Sequence, residues 1–241
     1  MAITSAPQHS GHQAQHRYLI PIAALIGALG LAMIGVALLV HGGGSSSTGV
    51  QGSGVPATQT RAVPSFSSLD LAGSNNVTVV VGAPQSVVVR ADSNLIGHVT
   101  TQVVAGALVV GDTGSFTART PMSVAVSVPS LTALSISGDG QISATGINTP
   151  QLTVTVSGSG LVSAAGTATR LDVTISGDGQ AQLGQLTARD VQAVVSGSGL
   201  IQVTATASLD AAVPGSGSIV YSGNPAQVNS SVTGSGTITR G

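Results

Sequence analysis

From about residue 130 onward the chain alternates with a fixed phase. Counting back six, four and two positions from a glycine at 138, 158, 177, 197, 215 and 234 gives Thr132, Leu134, Ile136; Leu152, Val154, Val156; Leu171, Val173, Ile175; Val191, Ala193, Val195; Leu209, Ala211, Val213; and Val228, Ser230, Val232. Sixteen of these eighteen are aliphatic, whereas among the interleaved positions only Ala133, Val194 and Ala212 are. Period-two alternation predicts a strand with one buried face. Four residues after each glycine stand Ile142, Val162, Ala181, Ile201, Ile219 and Ile238, the inward positions of a second strand. Further breaks fall near Gly146, Gly166, Gly184 and Gly223, leaving room for a third short strand.

The marker glycines are 20, 19, 20, 18 and 19 residues apart. A hairpin across Gly138-Asp139-Gly140 is one reading, because Asp-Gly favours tight turns. An antiparallel meander, however, does not constrain the length between turns, whereas a parallel β-helix must return to the same place in every coil. The period therefore predicts an all-β parallel β-helix, a β-solenoid with coils of about 19–20 residues. Corner glycines would permit positive φ and leave room for the neighbouring corners. Ser137, Ser157, Ser176 and Ser196 would stack as a polar column, and Asp139 and Asp178 would share a corner with Ser159 between them.

Residues 61–130 hold Val-rich runs such as "NVTVVVG", "SVVVRAD" and "MSVAVSVPS" with a less regular rhythm. They are expected to form the first coils and an atypical cap, which solenoid ends require. Dividing 61–241 by the period predicts about nine coils and a rod on the order of 43 Å.

Residues 18–40, "YLIPIAALIGALGLAMIGVALLV", carry no charge. Twenty-three such residues suffice for one transmembrane α-helix. The apolar run is longer than that of a cleaved signal and lacks an A-x-A site, so an uncleaved signal-anchor is expected. Arg17 precedes it and the next Arg is Arg61, which places the N-terminus in the cytoplasm and the bulk of the chain outside a cell membrane. The expected organisation is a cytoplasmic tail over 1–17, the helix over 18–40, a Gly/Ser-rich linker over 41–60 with a reach of roughly 25 Å, and the extracytoplasmic β-helix over 61–241.

Composition narrows the chemistry. Among 241 residues only 6% are charged and 2% aromatic, with no Trp and no Cys. The core must be Val, Ile, Leu and Ala, the surface Ser, Thr, Asn, Gln and Gly. Disulfides and thiolate metal sites are excluded, and a net charge of -1 without a basic cluster argues against nucleic acid.

Two carboxylate pairs come near the arrangement that sugar cleavage needs. Asp139 and Asp178, two rungs apart, would be about 9.6 Å from each other, near the upper limit used by inverting glycosidases. Asp172 and Asp210 share an outward column with Gln192 between them. Neither has an aromatic platform, since Tyr18, Tyr221, Phe66 and Phe116 are the only aromatics. Asp is also the ordinary polar residue of a glycine-flanked turn. Calcium repeats would need Asp at nonapeptide spacing, which is absent. His98 has no second histidine in the extracytoplasmic domain over 61–241, and His9, His12 and His16 lie in the N-terminal tail. No catalytic, cofactor or metal residue is assigned, and no enzyme is expected.

The order "RAVPSFSSLDLAGSNNVTVVVGAPQSVVVRADSNL", then "ALVVGD", then repeated "SGSG" or "SGDG" phrases resembles the putative auto-transporter adhesin head GIN domain family over residues 61–241. The resemblance implies a bacterial, β-helical cell-envelope domain and brings no catalytic residues with it. The expected function is a membrane-anchored, surface-exposed adhesion or ligand-binding module whose partner is an envelope glycan or protein. A structural spacer or assembly subunit and a glycan-active enzyme are the alternatives.

Overall fold

The computed structural model describes residues 49–241. The tail over 1–17, the helix over 18–40 and the first part of the 41–60 linker lie outside the described residues.

The irregular first half contains β1 (Val50–Gln51), β2 (Pro56–Thr60), β3 (Ser68–Leu71), β4 (Asn76–Val81), β5 (Ser86–Asp92), β6 (Val99–Val104), β7 (Ala107–Asp112), β8 (Phe116–Thr117) and β9 (Ser123–Val128). The repeats follow as β10 (Ala133–Ile136), β11 (Gln141–Val156), β12 (Leu161–Ile175), β13 (Gln180–Val195), β14 (Leu200–Val213), β15 (Ser218–Gly223), β16 (Gln227–Val232) and β17 (Thr237–Arg240). Strands β10 to β17 pair in parallel, each coil on the one before, so the solenoid reading holds and the hairpin reading does not.

Register carries the core from coil to coil. Ile142, Val162, Ala181, Ile201, Ile219 and Ile238 form one column, and the first five are fully buried. Leu134, Val154, Val173, Ala193 and Ala211 form another. The third short strand exists as the continuation of β11 through β14, where Ile147 pairs with Gly166 and Gly166 with Leu186. With glycines where the corners of neighbouring coils touch and aliphatic side chains inside, each coil can lie about 4.8 Å from the next.

The corner glycines are needed for space, not for backbone sign. Gly138, Gly158, Gly177 and Gly197 do not use the positive φ that glycine permits; the room they leave for neighbouring corners is what the stack uses. A Cβ on Gly138 would lie 2.5 Å from the Gly73 carbonyl oxygen, and one on Gly177 equally close to that of Gly158. The second glycine of each corner offers its carbonyl to the coil above: Leu161 N–H donates to Gly140 O, Gln180 to Gly160, and Leu200 to Gly179, at 2.9–3.1 Å. Positive φ occurs instead at the second break, as at Gly223 (φ 92°).

The nine-coil expectation is corrected to about five turns, because residues 50–128 do not wind regularly. Here β7 and β9 lie beneath β3 and β4 in parallel, while β10 and β11 lie above them. The β3–β4 rung is thus sandwiched between two later pieces of chain. Outside β9 and β7 the pairing turns antiparallel, with β5 on β9 and β6 on β7, and β2 closes the outer edge of β5. Alternation is the same for parallel and antiparallel strands, so this interleaving leaves no trace in the pattern. Two segments of the expected linker, Val50–Gln51 and Pro56–Thr60, are strands of this folded body, so it begins upstream of Arg61.

Candidate functional site

The outward side chains of the second strand stack in register, with Ser143 on Ser163, Gln182 and then Gln202. Beside them the strands shift register at Ala144/Ile147, Ser163/Ala165 and Leu183/Thr187, where the chain turns onto its third side. The shifts leave a groove of about 360 Å³ across three to four coils, lined by Ser143, Thr145, Ser163, Gln182, Gln185 and Gln202 among others. Gly184 also lines it, and a Cβ there would meet nothing within 4 Å. No charged residue lines the groove. Hydroxyls and carboxamides both donate and accept hydrogen bonds, so the floor suits a neutral polar ligand. Sequence reading found the strand but missed the groove, because the register shifts that open it have no residue signature.

A second polar array covers the outer face of the first strand. Arg170 Nε donates to Asp172 Oδ1 and Oδ2 at 3.0 and 3.1 Å, and Nη2 donates to Gln192 Oε1 at 3.1 Å. Gln151 donates to Asp172 from the coil below. Higher in the array, the Ser208 hydroxyl donates to Asp190 and Asn229 to Asp210, both at 2.7 Å. The hydrogen bond and charge of Asp172, with Asp190 and Asp210 nearby, raise the Arg170 pKa above its ordinary value. These side chains are largely satisfied by one another.

The sequence-derived candidates stand as follows. Asp172 and Asp210 do share a column through Gln192, but each is engaged in the array. Asp139 and Asp178 are exposed corner residues and do not line the groove. His98 Nδ1 lies 2.7 Å from the Thr113 carbonyl oxygen, and its ring tilts against Phe116 at 5.6 Å, a contact that pins the loop below β7. Among the described residues no group of three or more His, Cys, Asp or Glu is placed to hold a metal.

Two carboxyl groups act on the fold. Asp92, fully buried, accepts from Gly54 N–H through Oδ1 and from Arg119 and Thr120 N–H through Oδ2. Burial opposes its ionisation, but these backbone donors and the Thr120 hydroxyl hold its pKa below the usual aspartate value. It clasps the entering chain, β5 and the loop before β9 together. Asp70 behaves oppositely: burial raises its pKa against a weaker lowering by the Ser135 hydroxyl, and its Oδ1 is buried without a partner.

The described residues thus form a β-solenoid whose groove has no charged lining residue. The chain belongs to the family described as "Putative auto-transporter adhesin, head GIN domain", whose model matches residues 65–225. A solved structure described as a putative adhesin from Bacteroides fragilis is 26% identical, covering 80% of this chain and 100% of its own, with a TM-score of 0.67. One described as a putative lipid binding protein from Parabacteroides distasonis is 20% identical over 80% of this chain and 99% of its own, with a TM-score of 0.52. A putative adhesin from Parabacteroides merdae, 20% identical, covers 80% of this chain and 98% of its own at a TM-score of 0.50. The last two share the fold. No curated protein matches the chain.

Proposed function

We propose that this chain is a membrane-anchored, surface-exposed, non-catalytic β-solenoid serving as an adhesion or ligand-binding module of the bacterial cell envelope, with the N-terminus cytoplasmic and the solenoid extracytoplasmic. The groove over Ser143, Ser163, Gln182 and Gln202 carries the reading. Its floor repeats a donor-acceptor group every rung, about 4.8 Å, which suits a neutral extended polymer bearing hydroxyls at comparable intervals. An envelope glycan is the ligand class that fits. An anionic ligand would call for Arg, and none lines the groove. Without aromatic platforms each contact is weak, so affinity accumulates along the polymer. The family description supports an adhesin-like role, and neither it nor the names of the similar structures are those of an enzyme.

The test is binding of the full chain, in detergent micelles, to neutral and acidic envelope polysaccharides, with Ser163→Trp filling the groove floor. Saturable binding of a neutral polymer, lost in the variant, is expected. Absence of saturable binding, or binding untouched by the variant, overturns the groove as the ligand site. Anchoring is tested separately: protease added to intact cells should digest the solenoid and spare the N-terminal tail.

A further inference from the structure

The chain has seven Arg and no Lys. Arg170 and Arg189 each have an Asp carboxylate within 4.0 Å, and among the described residues no other Arg does. Arg61 is the only Arg among the described residues that is not exposed. Its backbone N–H donates to the Val87 carbonyl oxygen at 2.8 Å, and its Nη2 donates to the carbonyl oxygens of Ile96 and Val99 at 2.7 and 3.3 Å. The turn that carries Ile96 is itself tied, by Leu95 and Ile96 N–H to the Asp92 carbonyl oxygen and by His98 N–H to that of Leu95. The guanidinium is therefore fixed in place. A guanidinium has five N–H donors; here Nη2 commits both of its own, and Nε is buried without a partner. A cation drawn partly out of water with no carboxylate beside it costs free energy until a counter-charge is supplied.

Arg61 lines a cavity of about 320 Å³ together with Gly97, Thr100, Thr101 and Gln102 among others, and no carboxylate lines it. The cavity shares no residue with the groove over Ser143 and Gln202. We propose that it is a binding site for a single oxyanion, the carboxylate or phosphate group of an acidic or phosphorylated sugar. The Nη1 hydrogens remain for that group, and the two threonine hydroxyls and the Gln102 carboxamide add neutral donors. Because backbone carbonyls already hold the guanidinium, it needs no rearrangement to receive the anion. In a partly desolvated site their attraction also exceeds its value in open water. With one cation in the site, binding is weak and falls as salt screens it. The cavity thus selects for charge, which the groove does not, and the two sites are independent.

Gly97 allows the cavity to be blocked without touching Arg61. A Cβ there would meet nothing within 4 Å, and its φ is not positive, so Gly97→Leu partly fills the space and leaves the backbone as it is. The full chain in detergent micelles is titrated calorimetrically at low salt with glucuronate, inorganic phosphate and glucose. Saturable binding of the anions in the millimolar range is expected, and none of glucose. Arg61→Gln should weaken it about tenfold or more, the worth of a hydrogen bond to a charged group. That variant also frees the Ile96 and Val99 carbonyls and should melt lower. Gly97→Leu should weaken binding as much while melting like the parent, which separates a ligand site from a merely structural arginine. Tighter glucuronate identifies a carboxylate-bearing sugar as the source and tighter phosphate a phosphorylated one, and either upholds the site. Absence of saturable anion binding overturns the proposal. So does glucose bound as tightly as glucuronate, or anion binding that survives Gly97→Leu, which would place it at another arginine.

Discussion

Gly138 sits over Gly73 so closely that a Cβ on the upper residue would come within 2.5 Å of the lower carbonyl oxygen. The same relation recurs up the corner, as for Gly177 over Gly158. Side chains there would have to push rigid backbone apart in a stack that every other coil holds at a fixed spacing.

Gly177→Ala should therefore cost about 1–3 kcal/mol, the range for overpacking a site that cannot relax. Gly184→Ala is the matched control. It has open space around the added methyl and a φ that is not positive, so it should be neutral or slightly stabilising. Thermal or urea denaturation of the two variants separates steric need from mere glycine content.

Asp92 and Asp70 should give opposite pH responses. The Asp92 pKa is lowered in the fold, so its contribution is present above the ordinary aspartate value near 3.9 and is lost as pH falls through the folded value. Asp92→Asn should accordingly melt lower than the parent at pH 7, with the gap narrowing in acid.

The Asp70 pKa is raised, so its contribution is full below the ordinary value and is lost as pH rises through the folded one. Asp70→Asn should melt higher than the parent at pH 7 and lose that advantage near pH 3. A melting series from pH 3 to 8 on both variants checks the pair, and equal responses would refute both assignments.

Arg170 and Leu171 are neighbours in β12 pointing to opposite sides. Arg170 is exposed and its partner Asp172 partly so, hence Arg170→Met should change stability by no more than about 1 kcal/mol. Leu171 is fully buried, and Leu171→Ala should cost about 2–5 kcal/mol. Denaturant midpoints at constant slope decide it.

In the groove, Gln182→Ala removes one donor and one acceptor from an exposed floor. Binding of a neutral polysaccharide should weaken roughly two- to tenfold, the worth of one hydrogen bond, with no change in melting. Calorimetric titration beside a melting curve distinguishes this from a folding defect.

The regular coils were legible because each inward residue repeats its chemistry at a fixed spacing: Leu152, Val154 and Val156 announce their own burial, and Leu171, Val173 and Ile175 repeat it. Where the repeat begins, the phase slips. Leu131 is buried and Thr132, counted as inward, is exposed. Where it ends, Val228 and Val232 keep the inward phase yet stay uncovered, because phase fixes a direction and not a neighbour. Asp92 could not be recognised, since its three donors, at Gly54, Arg119 and Thr120, stand 27 to 38 residues away. The groove was hidden for a similar reason: Ser163 and Gln182 are ordinary surface residues until register shifts turn them into a floor.

The sandwiched β3–β4 rung also sets a timetable for synthesis. Leu71 and Val79 emerge early, but the strands on both sides of them end only at Val128 and begin again at Ala133. At about 5–20 residues per second, these valine-rich segments wait several seconds for their partners, and β5 must be held away from β4 so that β9 can enter between them. From Ala133 onward there is no such delay. Each new coil is laid on one already in place, so the nascent protein is most exposed to misassembly before its repeats have begun.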